Sequence, residues 1–406
     1  MVNYPWWGGN TVVDVMIIDG ARTPFGAYGG GLRDTSATDL AICATQGALH
    51  RSGVDSNAVD TVVFGNVVQT SPDAVYLARH VALRVGLEVT TPAHTVNRLC
   101  GSGLQAVIDG ALAIGAGYSQ LAVVGGAENM SAAPHVVYGA RWGLGPGSAN
   151  LEDALWAALT DRYCGLGISQ TAENLVEQFA ITRNAQDTFA LRSHQRAAAA
   201  RAAGRLAAEI VPVPAHDRQG NPVQIEQDEQ IRSDMTLGLL GSLPARVGER
   251  GSVTAGNAGG IADGAAALIL ASAEYVAHAR LQALGRVVSW AAVGVNPAVM
   301  GIGPLPATQR ALDRAELQLA DIDRFEINEA FAAQYLVVER ELGLDPGRVN
   351  MNGGAIALGH PLGASGARLL LTLLYELRRT KLRYGLVALS IAGGQGLAMI
   401  VENQQR

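Results

Sequence analysis

Along this chain, short runs of β-branched and other apolar residues alternate with longer stretches in which alanine and leucine recur at helical spacing. Strand-like runs at 12–18, 60–67 and 120–125 are separated by helical patterns at 37–50, 75–86 and 103–116. Such alternation predicts an α/β protein. A second series repeats the order: strand 285–293, helix 306–318, strand 323–327, helices 329–342 and 363–379, and strands 385–391 and 396–402. Setting Val62 against Phe325, the helix at 103 against that at 363, and Leu121 against Leu386 gives an offset of about 260 to 265 residues each time, the mark of an internal repeat.

In the second copy only Gly393-Gly394-Gln395-Gly396 separates the last two strands, whereas in the first the matching strand at 264–271 arrives about 140 residues late. An insertion fills the gap, with an Ala/Arg-rich helix at 183–207 and a Pro/Gly-containing stretch at 211–246. The expected division is a first half of 1–128 and 250–280, an inserted lobe of 129–249 that can cover a site, and a second half of 281–406.

Composition narrows the chemistry. A chain of 406 residues that is 49% apolar and 16% charged suits two core-sized units with buried sheets rather than disorder. A net charge of -6 argues against nucleic-acid binding, which needs a clustered basic face, and leaves small molecules or proteins as partners. Lys381 is the one lysine among 30 basic residues, so Schiff-base chemistry and a phosphate-loop lysine have almost nowhere to reside. Cys43, Cys100 and Cys164 are too few for a disulfide framework, and no signal peptide or span of ~20 apolar residues stands out, so a cytoplasmic protein without a membrane span is expected. The opening arm carries Trp6 and Trp7, an apolar pair suited to packing on a neighbouring subunit.

Two glycine-rich loops lead into helices at matching places in the repeat. The first, Asn97-Arg98-Leu99-Cys100-Gly101-Ser102-Gly103, puts a cysteine at a helix N-terminus, where amide groups and the macrodipole favour thiolate, so a lowered pKa is expected. Its glycines suggest close approach by a substrate. The second runs from Asn352 to Gly366 and carries His360. If the halves pack about a pseudo-two-fold axis, His360 meets Cys100 at their junction, where imidazole can take the thiol proton and then donate to an oxyanion. The remaining histidines singled out, His50, His80, His135, His194, His216 and His278, read as ordinary structural or surface residues. Asn328, where a strand passes into a helix, suits an N-cap and also an oxyanion site; Glu329 and Glu128 are similarly ambiguous.

With these motifs the chain resembles the thiolase family, closest to the 3-ketoacyl-CoA and acetoacetyl-CoA thiolases. The likeness runs over nearly the whole length and is carried by Ala21-Arg22-Thr23-Pro24-Phe25-Gly26, Asn97 to Gly103, Thr171 to Asn174, Thr254 to Ala258, Asn328 to Phe331 and Gly359-His360-Pro361. It implies a five-layered α-β-α-β-α fold of two similar halves with an inserted loop domain, in homodimers or homotetramers. It also implies an acyltransferase that takes coenzyme A thioesters as substrates and holds no permanent cofactor or metal. Cys100 would carry the acyl group, His360 would activate it, and Asn328 would hold a water that helps bind the thioester oxygen. The backbone amides of Cys100 and Ala392 would form a second oxyanion hole, and Arg232, Ala258, Gly259 and Phe331 would contact coenzyme A.

The resemblance breaks at Ser390-Ile391-Ala392-Gly393-Gly394, where these thiolases have Cys-Ile-Gly-Gly-Gly and use the cysteine as acid and base on the carbon to be joined. Ser390 has a far less accessible anion, while acyl-enzyme formation on Cys100 is untouched. Ala392 is tolerable there if its φ is negative. Gly259 replaces a serine, and Gly167-Ile168 replace the His-Met of many biosynthetic members, with Cys164 expected nearby. The leading expectation is thiolase-type C-acyl transfer, with Ser390, another group or water as acid and base. Alternatives are transfer of the acyl group to an amine, alcohol or thiol, decarboxylative condensation, thioester hydrolysis, or a scaffold subunit.

Overall fold

The structure, a computed structural model, describes residues 14–405 apart from Ser148 and Arg218; Trp6, Trp7 and the start of the first expected strand lie outside the described residues. The first half is built from β1 (Val15–Arg22), α1 (Ala37–Ser52), β2 (Thr61–Gly65), α2 (Leu77–Arg84), β3 (Ala93–Val96), α3 (Ser102–Gly115), β4 (Leu121–Asn129) and, after a long excursion, β5 (Ala262–Ser272). The excursion includes α4 (Ile168–Phe179) and α5 (Arg183–Ala202). The second half follows as β6 (Gly285–Gly294), α6 (Pro304–Ala315), β7 (Arg324–Ile327), α7 (Ala332–Leu342), α8 (Leu362–Thr380), β8 (Tyr384–Ile391) and β9 (Gln395–Asn403).

Apart from the short strand Gly26–Ala27 paired with β5, the main sheet runs β7-β8-β9-β6-β1-β5-β4-β2-β3. Each half repeats one scheme: β2 lies parallel to β4 as β7 does to β8, and β5 returns antiparallel beside β4 as β9 does beside β8. The halves meet where β1 pairs with β6 through Met16 with Arg286 and Ile17 with Gly285.

Burial on both faces explains why the strands read as continuous apolar runs rather than alternating ones. On β4, Val124 points to the central core and Val123 to the outer one; on β8, Val387 and Leu389 face inward while Leu386 and Ala388 face outward. The central core holds α3 and α8 between the two half-sheets, and α1 and α6 cover the outer faces. These are the five layers of the thiolase-like fold.

Backbone contact between α3 and α8 sets the geometry of the centre. A Cβ on Gly103 would lie 2.6 Å from the Gly363 carbonyl oxygen, one on Gly126 would fall inside the same carbonyl, and one on Gly366 would strike the Leu104 amide. These positions must lack side chains for the two helix starts to touch. The insertion is tied to the first half by Arg22, fully buried, whose guanidinium grips Asp228 at 2.7 and 2.9 Å and Glu209 at 2.7 Å.

Several boundaries differ from expectation for local reasons. The helix expected from 329 begins at Ala332, because Asn328 to Phe331 form a connection in which Ala258 bridges Phe331 and Gly259 donates to the Ala330 carbonyl. The helix expected to 207 ends at Ala202. Strand β3 and helix α4 have no counterpart in the expected pattern; the exposed Ala-His-Thr-Val run of β3 lacks an apolar signature.

Candidate active site

Cys100 stands at a sharp elbow between β3 and α3. The Asn97 side-chain oxygen accepts from the Leu99 amide at 2.9 Å; Ser102 accepts from the Arg98 amide at 2.8 Å and donates to the Leu99 carbonyl at 2.6 Å. Together they hold Leu99 in the left-handed region, φ 48°, a conformation that costs a leucine about 1 kcal/mol or more. The elbow turns the next side chain, Cys100, into a cleft whose walls also include His360, Ser390, Ala392, Met130 and Leu362.

Two expectations about this loop need correction. Gly101 and Gly103 serve packing rather than substrate approach: a Cβ on Gly101 would meet Ile391 at 2.5 Å, and Gly103 abuts α8. The Cys100 thiol is not acidified by the helix start. Burial pushes it up to about 11, and Glu128 adds to the rise, against the opposing hydrogen bond from the Ala392 amide and a smaller backbone contribution from Cys100 itself. Desolvation outweighs the macrodipole because the sulfur is packed among apolar side chains of the central core.

His360 occupies the equivalent place before α8, two residues ahead of the first helical residue, as Cys100 is ahead of α3. Gly359 makes the turn at φ 97°, and the His360 amide donates to the Gly260 carbonyl at 2.7 Å. The Ser365 hydroxyl gives its proton to the Pro361 carbonyl at 2.8 Å and lies 2.6 Å from His360 Nδ1, so it is an acceptor there and the imidazole proton sits on Nδ1. That leaves Nε2 without a proton, its lone pair 3.2 Å from the Asn328 amide nitrogen, which donates to it. Burial, and to a smaller degree Arg368, hold the imidazole down to about 4, so the ring is neutral.

Asn328 is not the cap of α7, which is Phe331; its side chain is wholly buried against His360, with Oδ1 lacking a partner among the described residues. Ser390, 1% exposed on β8, likewise has a hydroxyl without a partner. Ala392 keeps a negative φ while Gly393 and Gly394 take φ 78°, so the alanine fits the bend. The two ambiguous glutamates brace the loops. Glu128 accepts from the Gly363 amide at 2.8 Å and from Asn66, Val67 and Val68, anchoring α8; burial raises its carboxyl to about 7. Glu329 accepts from Ser193, Asn350 and the Ile356 amide, fixing the approach to His360.

Of the residues expected to meet coenzyme A, Ala258, Gly259 and Phe331 line the cleft. A Cβ at Gly259 would stand 2.9 Å from the Glu329 carbonyl and 3.4 Å from His360 Cβ, so glycine lets this strand close on the imidazole. Arg232 does not line it; the side chain is exposed and clasped by Asp234 at 2.9 and 3.0 Å. Nor does Cys164, whose sulfur lies 3.9 Å from the Asp161 carbonyl, while Ile168 does. The histidines read as ordinary lie outside the cleft. Sequence reasoning missed Met130, Trp156, Met300 and Arg246, and no motif marks them.

This geometry can be set beside known proteins. Residues 15–274 match the thiolase N-terminal domain and 281–403 the thiolase C-terminal domain. The chain is 47% identical to human mitochondrial 3-ketoacyl-CoA thiolase over 390 residues, 96% of this chain and 98% of that protein. It is also 47% identical to acetyl-CoA acetyltransferase of Pseudomonas aeruginosa over 391 residues, 95% of this chain and 98% of the other. Among solved structures, the human mitochondrial thiolase in complex with CoA superposes with a TM-score of 0.93 at 46% identity, covering 97% of this chain and 98% of that one. The Bacillus anthracis acetyl-CoA acetyltransferase superposes at 0.95 with 41% identity, over 97% of this chain and 100% of that one. Matched by both domains along nearly its full length, the chain belongs to the thiolase family.

Proposed function

We propose that the protein is a thiolase-type acyl-CoA C-acyltransferase that forms a thioester on Cys100. The observation that carries this reading is the convergence of Cys100 and a neutral His360, its Nε2 lone pair unprotonated, on one cleft. With the thiol near 11 and the imidazolium near 4, a standing thiolate–imidazolium pair would cost on the order of 10 kcal/mol before the mutual attraction of its charges is counted. Both directions favour a neutral resting pair, with the proton passing to Nε2 as sulfur attacks the thioester carbonyl. The new Nε2–H and a water held by Asn328 then serve the oxyanion, while the Cys100 and Ala392 amides serve the second addition. Ala258, Gly259 and Phe331 would guide the pantetheine arm. The relatives' printed names point to 3-ketoacyl-CoA cleavage or acyl-CoA condensation as the full reaction.

Ser390 divides that reaction into a fast half and a slow one, because a buried hydroxyl is a poor base for an α-proton. The same residue favours a second reading, in which the acyl group passes to an amine, alcohol, thiol or water, or to a partner that makes its carbanion by losing carbon dioxide. Residues 1–128 with 250–280, 129–249 and 281–406 would be the two halves and the covering lobe of a homodimer or homotetramer. Three unpaired cysteines suit a cytoplasmic setting. Among the described residues no helix is long and apolar enough to cross a membrane. Mass spectrometry after incubation with an acyl-CoA tests the proposal: an acyl adduct on Cys100 is expected, and its absence from the intact protein would overturn it.

A further inference from the structure

The catalytic cleft continues into a second cavity of about 390 Å³, and the two share Trp156, Leu159, Ile168, Ser169 and Arg246. This space is open partly because residue 167 has no side chain: a Cβ there would meet only Gln170, at 3.6 Å. Among the described residues, Arg246 is the one charged residue lining either cavity. Its backbone is fixed, since its amide donates to the Val253 carbonyl at 2.8 Å and its neighbour Ala245 bridges Thr254. Its guanidinium is free of hydrogen bonds and ion pairs among the described residues, unlike that of Arg232, which Asp234 neutralises. The passage thus has a neutral reacting end at Cys100 and His360, walls in which Trp156, Leu159 and Ile168 stand beside the polar Thr160, Ser169 and Gln170, and at the far side an exposed arginine without a partner among the described residues.

We infer that the preferred acyl group is extended and ends in a carboxylate, the half-thioester of a dicarboxylic acid, with Arg246 holding the distal carboxylate. The inference rests on the acyl-enzyme reading above. Trp156, Leu159 and Ile168 offer an apolar side for the chain, and arginine pairs with carboxylate through two parallel N–H donors. The coenzyme A phosphates carry the same charge and are the competing source of an anion at Arg246.

Paired ligands of equal length separate these cases. Adipoyl-CoA and hexanoyl-CoA, and the corresponding pantetheine thioesters, are titrated by calorimetry into Cys100→Ala protein, with and without Arg246→Met. Adduct formation on Cys100 is followed in parallel in the otherwise unaltered enzyme. Adipoyl-CoA is expected to bind roughly five- to tenfold tighter than hexanoyl-CoA, and the ratio to fall near one in Arg246→Met. The pantetheine pair should show the same preference. A ratio near one before substitution would overturn the inference. So would equal weakening of both CoA esters by Arg246→Met with the pantetheine thioesters unaffected, which assigns Arg246 to the phosphates. Binding preference without any adduct would keep the carboxylate site and sink the acyl-enzyme reading; adducts without preference would do the reverse.

Discussion

Replacing Ser390 by cysteine should convert a slow carbon–carbon step into a fast one. An unassisted hydroxyl gives up its proton far less readily than a thiol, whose ordinary value is about 8.5, by ~7 pH units or roughly 10 kcal/mol in the free energy of forming the anion. If about half of that is expressed in the transition state for α-proton transfer, the barrier falls by ~5 kcal/mol, a gain of about three to four orders of magnitude until another step limits. The site tolerates the exchange, because the Ser390 hydroxyl has no partner among the described residues to lose and faces the cleft. Cys100 acylation, which needs no α-proton, should change by less than about threefold. Thiolysis of acetoacetyl-CoA, wash-in of solvent deuterium at the acyl α-carbon, and adduct formation on Cys100 would be measured together for both proteins. Should the unaltered enzyme exchange and thiolyse within tenfold of Ser390→Cys, the reasoning about the hydroxyl would be refuted.

Ser365→Ala removes the acceptor that keeps the imidazole proton on Nδ1, so Cys100 acylation should slow by about tenfold, with nitrogen NMR of His360 showing mixed tautomers. The acylation rate should stay level from about pH 5 to 10: His360 is a base only when neutral, so the rate falls as pH drops toward 4, and an inflection between 6 and 8 would contradict its buried setting. Gly126→Ala should lower stability by about 3 kcal/mol or more and cut acylation in whatever protein folds, because only backbone lies where its methyl would go. Arg22→Met leaves Asp228 and Glu209 buried without their cation, and chemical denaturation should show a loss of about 3–5 kcal/mol in the unit linking insertion and first half.

The repeat and the two glycine-rich loops were legible because each is local: an apolar period, a glycine-rich turn and a helix start recur at a constant offset. Their meeting at one cleft required only the pseudo-symmetry. What the sequence hid depends on surroundings. The Cys100 thiol moves opposite to the helix-dipole argument because that argument counts amides and omits the apolar shell around sulfur. Asn328 looks like a cap until Ala258 and Gly259 divert the following residues into a bridge. Arg232 and Arg246 are indistinguishable as letters; one has an aspartate two residues on that neutralises it, and the other lines the cleft.

Cys100 and His360 hold the same rank in the two copies of the repeat, each two residues ahead of its helix. Two identical polypeptides joined about a symmetry axis would place one kind of side chain at both positions, giving sulfur facing sulfur or ring facing ring. A sulfur matched with an imidazole at that axis needs two copies whose loops differ. Carrying both copies in one chain makes that unlike pairing a fixed property of every molecule.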